Sequence, residues 1–285
     1  MLDLMLAPLA AALVILAMNA YFGLHVIRRG VIFVDLAFAQ VAALGGTVAM
    51  LTGAEPGSVT AFAFTFAFTL LGAAIFSLTR LEDSIVPQEA IIGITYVVAS
   101  ATVILLSGFT AEGAEHVAET LTGSLIWITW PAVARIAIAY ALIGAFHFVF
   151  RRRMLDITLR PDGVANVRLW DFIFYVTFGI AITFSVNVAG VLLIFSTLVI
   201  PATIAFLFVE RFGAALAVAW LAGGLAVVGG LVASFSFDVA TGPVLVCAFG
   251  AVLVAAGIVR AIRRAARRGR RADAPAARLA AARER

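Results

Sequence analysis

The stretch Arg151-Arg152-Arg153-Met154-Leu155-Asp156-Ile157-Thr158-Leu159-Arg160-Pro161-Asp162-Gly163-Val164-Ala165-Asn166-Val167-Arg168-Leu169-Trp170-Asp171 decides the fold, together with the apolar run after it. That run is broken only by Asn187 and Gly190 and closes on Leu198-Val199-Ile200-Pro201-Ala202-Thr203. Its first part is polar and rich in arginine; the second is too apolar to remain in water. A connector of about twenty residues is longer than joining two helices requires. The pair reads as a docking surface for a soluble partner on the cytoplasmic side of a membrane, followed by the wall of a pathway.

The rest of the chain agrees with that reading. Of its 285 residues, 64% are hydrophobic and 13% charged, and the mean hydropathy is +1.11. No soluble domain hides that much apolar side chain, so the chain reads as an integral membrane protein. All 20 basic residues are arginines. A P-loop needs a lysine on the nucleotide phosphates, so an ATP-driven step would need another subunit to hydrolyse the nucleotide. Cys247 stands alone in an apolar run, which excludes a disulfide framework and zinc-finger spacing. Met1-Leu2-Asp3 lacks the positive start of a cleaved signal peptide. No Ser/His/Asp constellation, HExxH or glycine-rich phosphate loop occurs, so no catalytic residue is assigned. The basic tail has no aromatic residue on which a nucleic-acid base could stack.

A helix crosses a bilayer with about 20 apolar residues. Spans are predicted near 5–27, 31–52, 59–79, 90–108, 132–150, 171–187, 190–209, 213–233 and 243–261, an all-α polytopic bundle of eight or nine helices. Residues 1–262 form the membrane domain, with the cytoplasmic connector at about 151–171. Residues 263–285 form an Arg/Ala-rich cytoplasmic tail, predicted to lie first along anionic lipid and then to be disordered. Arg28-Arg29, Arg80, Arg151 to Arg168, Arg211 and the tail fall in alternate loops. By the excess of arginine on the inner side, the amino terminus is outside and the carboxyl terminus inside.

Few polar groups interrupt the spans. A carboxylate there is costly and marks a functional site by default. Asp35 shares a helical stripe with Ala39, Ala42, Ala43 and Gly46, and is either a pathway group or a buried aspartate paired with Arg28 or Arg29. Glu112, Glu115, His116 and Glu119 fall at i, i+3, i+4 and i+7, one helical face. Carboxylates and imidazole suit zinc, manganese or iron, so His116 and Glu119 are candidate ligands at an outer mouth; an ordinary solvated acidic face has the same pattern. Asp238 precedes Thr241-Gly242-Pro243 at the start of the last span, as a pathway group or a helix cap. Glu89 opens a helix on the inner side, where the macrodipole favours it, as a structural group or part of a gate. His25 and His147 read as interface and packing residues.

Several segments resemble the permease subunit of the ATP-binding-cassette zinc/manganese/iron(II) uptake transporters. Asn187 to Thr203 looks like that family's VVGVLLVIALLVIPAAT stretch, and Asp238-Val239-Ala240-Thr241-Gly242-Pro243 is similar to its DLPTGP signature. Glu89-Ala90-Ile91-Ile92-Gly93-Ile94 resembles DAAIGI, and Leu121-Thr122-Gly123-Ser124-Leu125-Ile126 resembles LFGSLL. The resemblance implies a type II importer-like permease that carries a divalent metal ion and binds no cofactor of its own. It further implies a homodimer in a bacterial inner membrane with its path at the subunit interface. The implied partners are cytoplasmic ATPase subunits that hold the ATP and an extracytoplasmic metal-binding protein. Arg153, Arg160, Asp162, Gly163 and Arg168 would then couple to the ATPase.

Two departures from the family's pattern stand out. The family usually carries Asp-Ala-Leu-Ser-His-Ala in its second span, where this chain has Asp35-Leu36-Ala37-Phe38-Ala39-Gln40. Ala39 holds the histidine's place, and Gln40 lies about 140° around the helix from Asp35. The segment Leu159–Asn166 is also shorter than the family's coupling helix. The rival reading is a secondary transporter or exporter of a small solute that works alone; it would place more polar residues at mid-membrane in broken helices.

Overall fold

Ten α-helices account for nearly all of the described residues. They are α1 (Leu2–Arg29), α2 (Val34–Leu51), α3 (Val59–Leu78), α4 (Gln88–Ser107), α5 (Trp130–Val149), α6 (Arg151–Leu159), α7 (Val167–Ala189), α8 (Val191–Phe208), α9 (Phe212–Phe237) and α10 (Thr241–Arg283). The computed structural model describes residues 2–55, 57–80, 85–109, 123 and 125–283, with residues 2–4 and 267–283 by backbone alone. Nine of the helices are long and apolar enough to cross a membrane, beginning with Met5–Arg29 and ending with Thr241–Ala266. They coincide with the nine predicted spans to within a few residues. Two differences are informative. The span predicted from residue 171 begins at Val167, because Arg168 and Asp171 sit in its first turns and not in the connector. Where a disordered tail is predicted, the backbone is helical as far as Arg283, consistent with the high helix propensity of alanine and arginine.

Local chemistry fixes the helix boundaries. Ser58 caps α3, its hydroxyl accepting from the Ala61 N–H at 3.2 Å. Pro87 precedes α4, and Pro131 lies in the first turn of α5, where its missing N–H costs nothing. Asn166 turns the chain into α7 in the left-handed conformation. Gly190 alone separates α7 from α8, at φ 75° and ψ 156°, a conformation closed to side chains with a Cβ. Pro201 lies inside α8 without ending it.

Two packed groups make the bundle. In one, α1 is surrounded by α5, α8 and α9, with α10 against α8 and α9; in the other, α2 packs between α3 and α4, and α7 lies against α2 and α3. Aromatic side chains fill the junction. Phe22, Phe38, Phe76, Phe174, Tyr175 and Phe178 are fully buried. Phe22 meets Phe178 edge to face at 5.0 Å, and Phe38 meets Phe76 the same way at 5.1 Å, each contact adding about 0.5–1.5 kcal/mol beyond area burial. The few buried polar groups mostly pair off: Asn19 donates to Thr197 at 2.9 Å, and His147 bridges the Tyr21 hydroxyl at 3.0 Å and Thr177 at 2.8 Å. By contrast, α4 and α10 present Ile94, Val97, Ile104, Leu105, Val254 and Ile258 on their outer faces. Such a surface is untenable in water and ordinary against lipid tails.

The approach of α1 to α8 depends on Gly23, where an added Cβ would fall onto the backbone carbonyl of Leu198. Backbone cannot step aside as a flexible side chain can. Gly23→Ala is therefore expected to cost about 1–3 kcal/mol, whereas Gly224→Ala, which opens onto free space, should cost almost nothing. Thermal unfolding of the two variants in detergent checks the contrast; equal midpoints would contradict the close α1–α8 contact.

Candidate functional site

Polar groups cluster at two places in the bundle. The first is α2. Asp35 sits in its first turn, 1% exposed, and neither carboxylate oxygen has a hydrogen-bond partner. One turn on, Ala39 begins a row of small side chains, Ala42, Ala43, Gly46 and then Met50, which borders a cavity of about 350 Å³. Thr65 of α3 and Thr183 and Asn187 of α7 complete its polar lining. The stripe predicted from helical spacing is thus one wall of a real space, with Asp35 just beyond its floor. Gln40 does not border the cavity, as its angle around the helix requires. Glu89, at the start of α4, accepts the Phe33 N–H through Oε1 at 3.0 Å, while its buried Oε2 has no partner.

The second place is the connector between α5 and α7. Sequence reading treats it as a loop; much of it is helix. In α6, Met154, Ile157 and Thr158 face inward, while Arg153 and Arg160 are exposed, as are Asp162, Gly163 and Arg168 beyond it. The inward face is bolted to three other helices. Asp171 of α7 is fully buried and binds Arg29 of α1 at 2.9 Å and Arg80, just past α3, at 2.6 Å. Arg80 also donates to the Ile157 carbonyl at 3.2 Å, and Arg29 Nε to Thr158 Oγ1 at 3.1 Å. The Arg29 guanidinium lies 3.8 Å from the centre of the Phe174 ring, a cation–π contact. Thr158 donates its only hydroxyl proton to the Met154 carbonyl at 3.0 Å. His25 Nδ1 lies 2.7 Å from the same hydroxyl, a contact whose donor is set by the ring's tautomer.

The pairing of Asp35 with Arg28 or Arg29, left open by the sequence, does not occur: Arg29 is held by Asp171, and Arg28 donates to the Glu210 carbonyl at 2.9 Å. Asp238 is exposed and occupies the left-handed C-cap of α9, away from the cavity lining. His116 and Glu119 lie outside the described residues. His25 is buried against Thr158, and so behaves as an interface residue. Sequence reasoning missed Asp171, Arg80 and Thr158. The available signal was an aspartate and an arginine each at the margin of an apolar run.

Known proteins bear on these features. The sequence pattern of the ABC 3 transport family matches residues 1–260. The manganese transport system membrane protein MntB of Synechocystis sp. (strain ATCC 27184 / PCC 6803 / Kazusa) is 26% identical over 216 residues, which is 71% of this chain and 66% of that protein. Among solved structures, a chain of PsaBC from Streptococcus pneumoniae in complex with Fab superimposes with a TM-score of 0.72 at 21% identity, covering 89% of this chain and 90% of that one. A chain of a metal-chelate type ABC transporter in an inward-facing conformation gives 0.65 at 20% identity, over 87% and 85%.

The geometry around Asp171 ranks two substitutions. Asp171→Ala leaves Arg29 and Arg80 facing each other without a counter-charge and should cost about 3–5 kcal/mol. Thr158→Val removes neutral and charge-assisted hydrogen bonds at constant shape and should cost about 1–3 kcal/mol. Thermal unfolding and the yield of folded protein check the order; similar losses would contradict the central place of the carboxylate.

Proposed function

This chain belongs to the ABC 3 transport family, and we propose that it is the membrane-spanning permease subunit of an ATP-binding-cassette importer for a divalent metal ion. Manganese, zinc and iron(II) are the candidate cargoes. The observation that carries the reading is Asp35, a carboxylate buried without a partner below a cavity bounded by α2, α3 and α7. Its burial costs free energy that packing does not return, and a passing cation offsets that cost. Few fixed ligands suit such a path, since tight binding would slow release. The manganese transport protein among its relatives favours the same class of cargo.

In this reading two copies of the chain flank the path in a bacterial inner membrane, with the amino terminus outside and the carboxyl terminus in the cytoplasm. A binding protein delivers the ion from outside, and two ATPase subunits dock on the cytoplasmic connector. Exposed Arg153, Arg160, Asp162, Gly163 and Arg168 form the docking surface. Movement of α6 passes through Ile157 and Thr158 to Arg80, Arg29 and Asp171, and so reaches α1, α3 and α7 together. Because α7 borders the cavity at Thr183 and Asn187, the same motion reshapes the path. Asp238 caps its helix in this scheme, while Glu119 and His116 serve the outer mouth.

The test is ATP-dependent metal uptake into vesicles carrying the permease with its ATPase. Asp35→Ala should lower uptake by about tenfold or more while the ATPase still copurifies with the permease. Normal uptake in that variant removes Asp35 from the path. Uptake by the wild-type permease without any ATPase overturns the importer reading.

A further inference from the structure

Arginines from separate parts of the chain meet at the turn that joins α8 to α9. Arg28, at the end of α1, lies 4.7 Å from the centre of the Phe206 ring and donates to the Glu210 carbonyl at 2.9 Å. Arg211 stands in the turn itself, as the exposed N-cap of α9. Arg263 reaches it from α10, 5.7 Å from the centre of the Phe208 ring. Among the described residues, the only ion pairs are those of Arg29 and Arg80 with Asp171. Glu210, the carboxylate in the turn, is exposed and pairs with none of the three arginines.

The positive charge continues along α10. Arg260, Arg263 and Arg264 fall within an arc of about 100° of that helix, and positions 267 and 271, also arginine, extend the stripe along the helical backbone. Like charges one turn apart on a helix repel, and a bound anion relieves the repulsion. Apolar surface borders the same corner: Phe208, Ile258 and Val259 are exposed. The candidate spans of α1 and α8 end at Arg29 and Phe208, and that of α9 begins at Phe212. The guanidinium groups therefore stand where hydrocarbon gives way to headgroups. A free phosphate or an acidic protein face would use the cations and leave the apolar flank bare. A phospholipid uses both, with its phosphate on the arginines and its acyl chains along Phe208, Ile258 and Val259.

We propose that the α8–α9 turn, with Arg28, Arg211 and Arg263, is a headgroup site for an anionic phospholipid, widened for further anionic headgroups by the arginine stripe of α10. The bound lipid ties α10 to the ends of α1 and α8, so the fold gains a stability from anionic membranes that zwitterionic ones do not supply. The site needs neither a metal ion nor an ATPase, and stands apart from the importer reading.

The experiment uses the full-length chain in detergent, titrated with phosphatidylglycerol or phosphatidylcholine. Native mass spectrometry counts the lipids retained, and thermal unfolding is followed in parallel. Phosphatidylglycerol should stay bound and raise the unfolding midpoint, and phosphatidylcholine should do neither. Arg211→Gln together with Arg263→Gln should raise the half-saturating phosphatidylglycerol concentration by about tenfold or more. Both side chains are exposed, so the substitutions leave the core intact. Arg151→Gln together with Arg152→Gln removes the same charge from the exposed start of α6 and should stay within about twofold of wild type. If the two pairs shift binding equally, retention follows net charge and the site is overturned. If inorganic phosphate raises the midpoint as far as the lipid does, the arginines take a soluble anion and the lipid site falls. If the Arg211 and Arg263 substitutions cost a copurifying ATPase but no lipid, the surface belongs to a protein partner and the proposal is again overturned.

Discussion

A single carboxylate held between two guanidinium groups organises one end of this molecule. Asp171 has no solvent exposure, and Arg29 and Arg80 approach it from α1 and from the end of α3. Neither arginine could be buried alone at acceptable cost, and the aspartate could not either. The second layer follows from the first. Arg29 lies flat on Phe174, Arg80 reaches the last turn of α6, and Thr158 gathers both Arg29 and His25. Four separate segments of chain are therefore placed by one anion. The aromatic cluster of Phe22, Phe174 and Phe178 begins where these charges end, so rings wall the polar knot on that side.

The far side of α2 shows the opposite use of chemistry. At Gly45 the helix presses on α3, where an added Cβ would meet the backbone of Phe64 and Thr65. On the neighbouring stripe, Ala39, Ala42 and Ala43 are small enough to leave a cavity standing. The same residue class thus brings backbones together on one face and opens space on the other, depending on what stands opposite. The threonines around that space illustrate economy in an apolar medium. Thr65 and Thr69 give their hydroxyl protons to carbonyls one turn back, and Thr69 lies 3.2 Å from Thr183 across the helix pair.

Much of the architecture was legible in the sequence because the bilayer imposes it. A span must be about 20 residues long and apolar, so hydropathy and length located all nine among the described residues. The stripe from Asp35 to Gly46 was legible for the same reason: helical angle depends only on spacing. The ion knot was not legible. Asp171 meets residues 142 and 91 positions away, and nothing local in the chain specifies such partners. The connector was half legible. Its arginines marked it as a polar surface, but the inward pattern of Met154, Ile157 and Thr158 was too short to outweigh the proline, glycine and charge around it. Asp238 illustrates a shared signature with two readings; in the structure it stands in the left-handed C-cap of α9, not at the entry to α10.

The joint at Gly190 has its own consequence. With a single residue between α7 and α8, the angular phase of one helix is locked to the other. One inserted residue would turn α8 by about 100°, carrying Thr197 away from Asn19 and into the buried position now held by Leu198. Gly123, itself at positive φ, presses against this corner and leaves no room for the chain to take up slack. Along both helices the sequence is free to drift while staying apolar; at their junction its length is not.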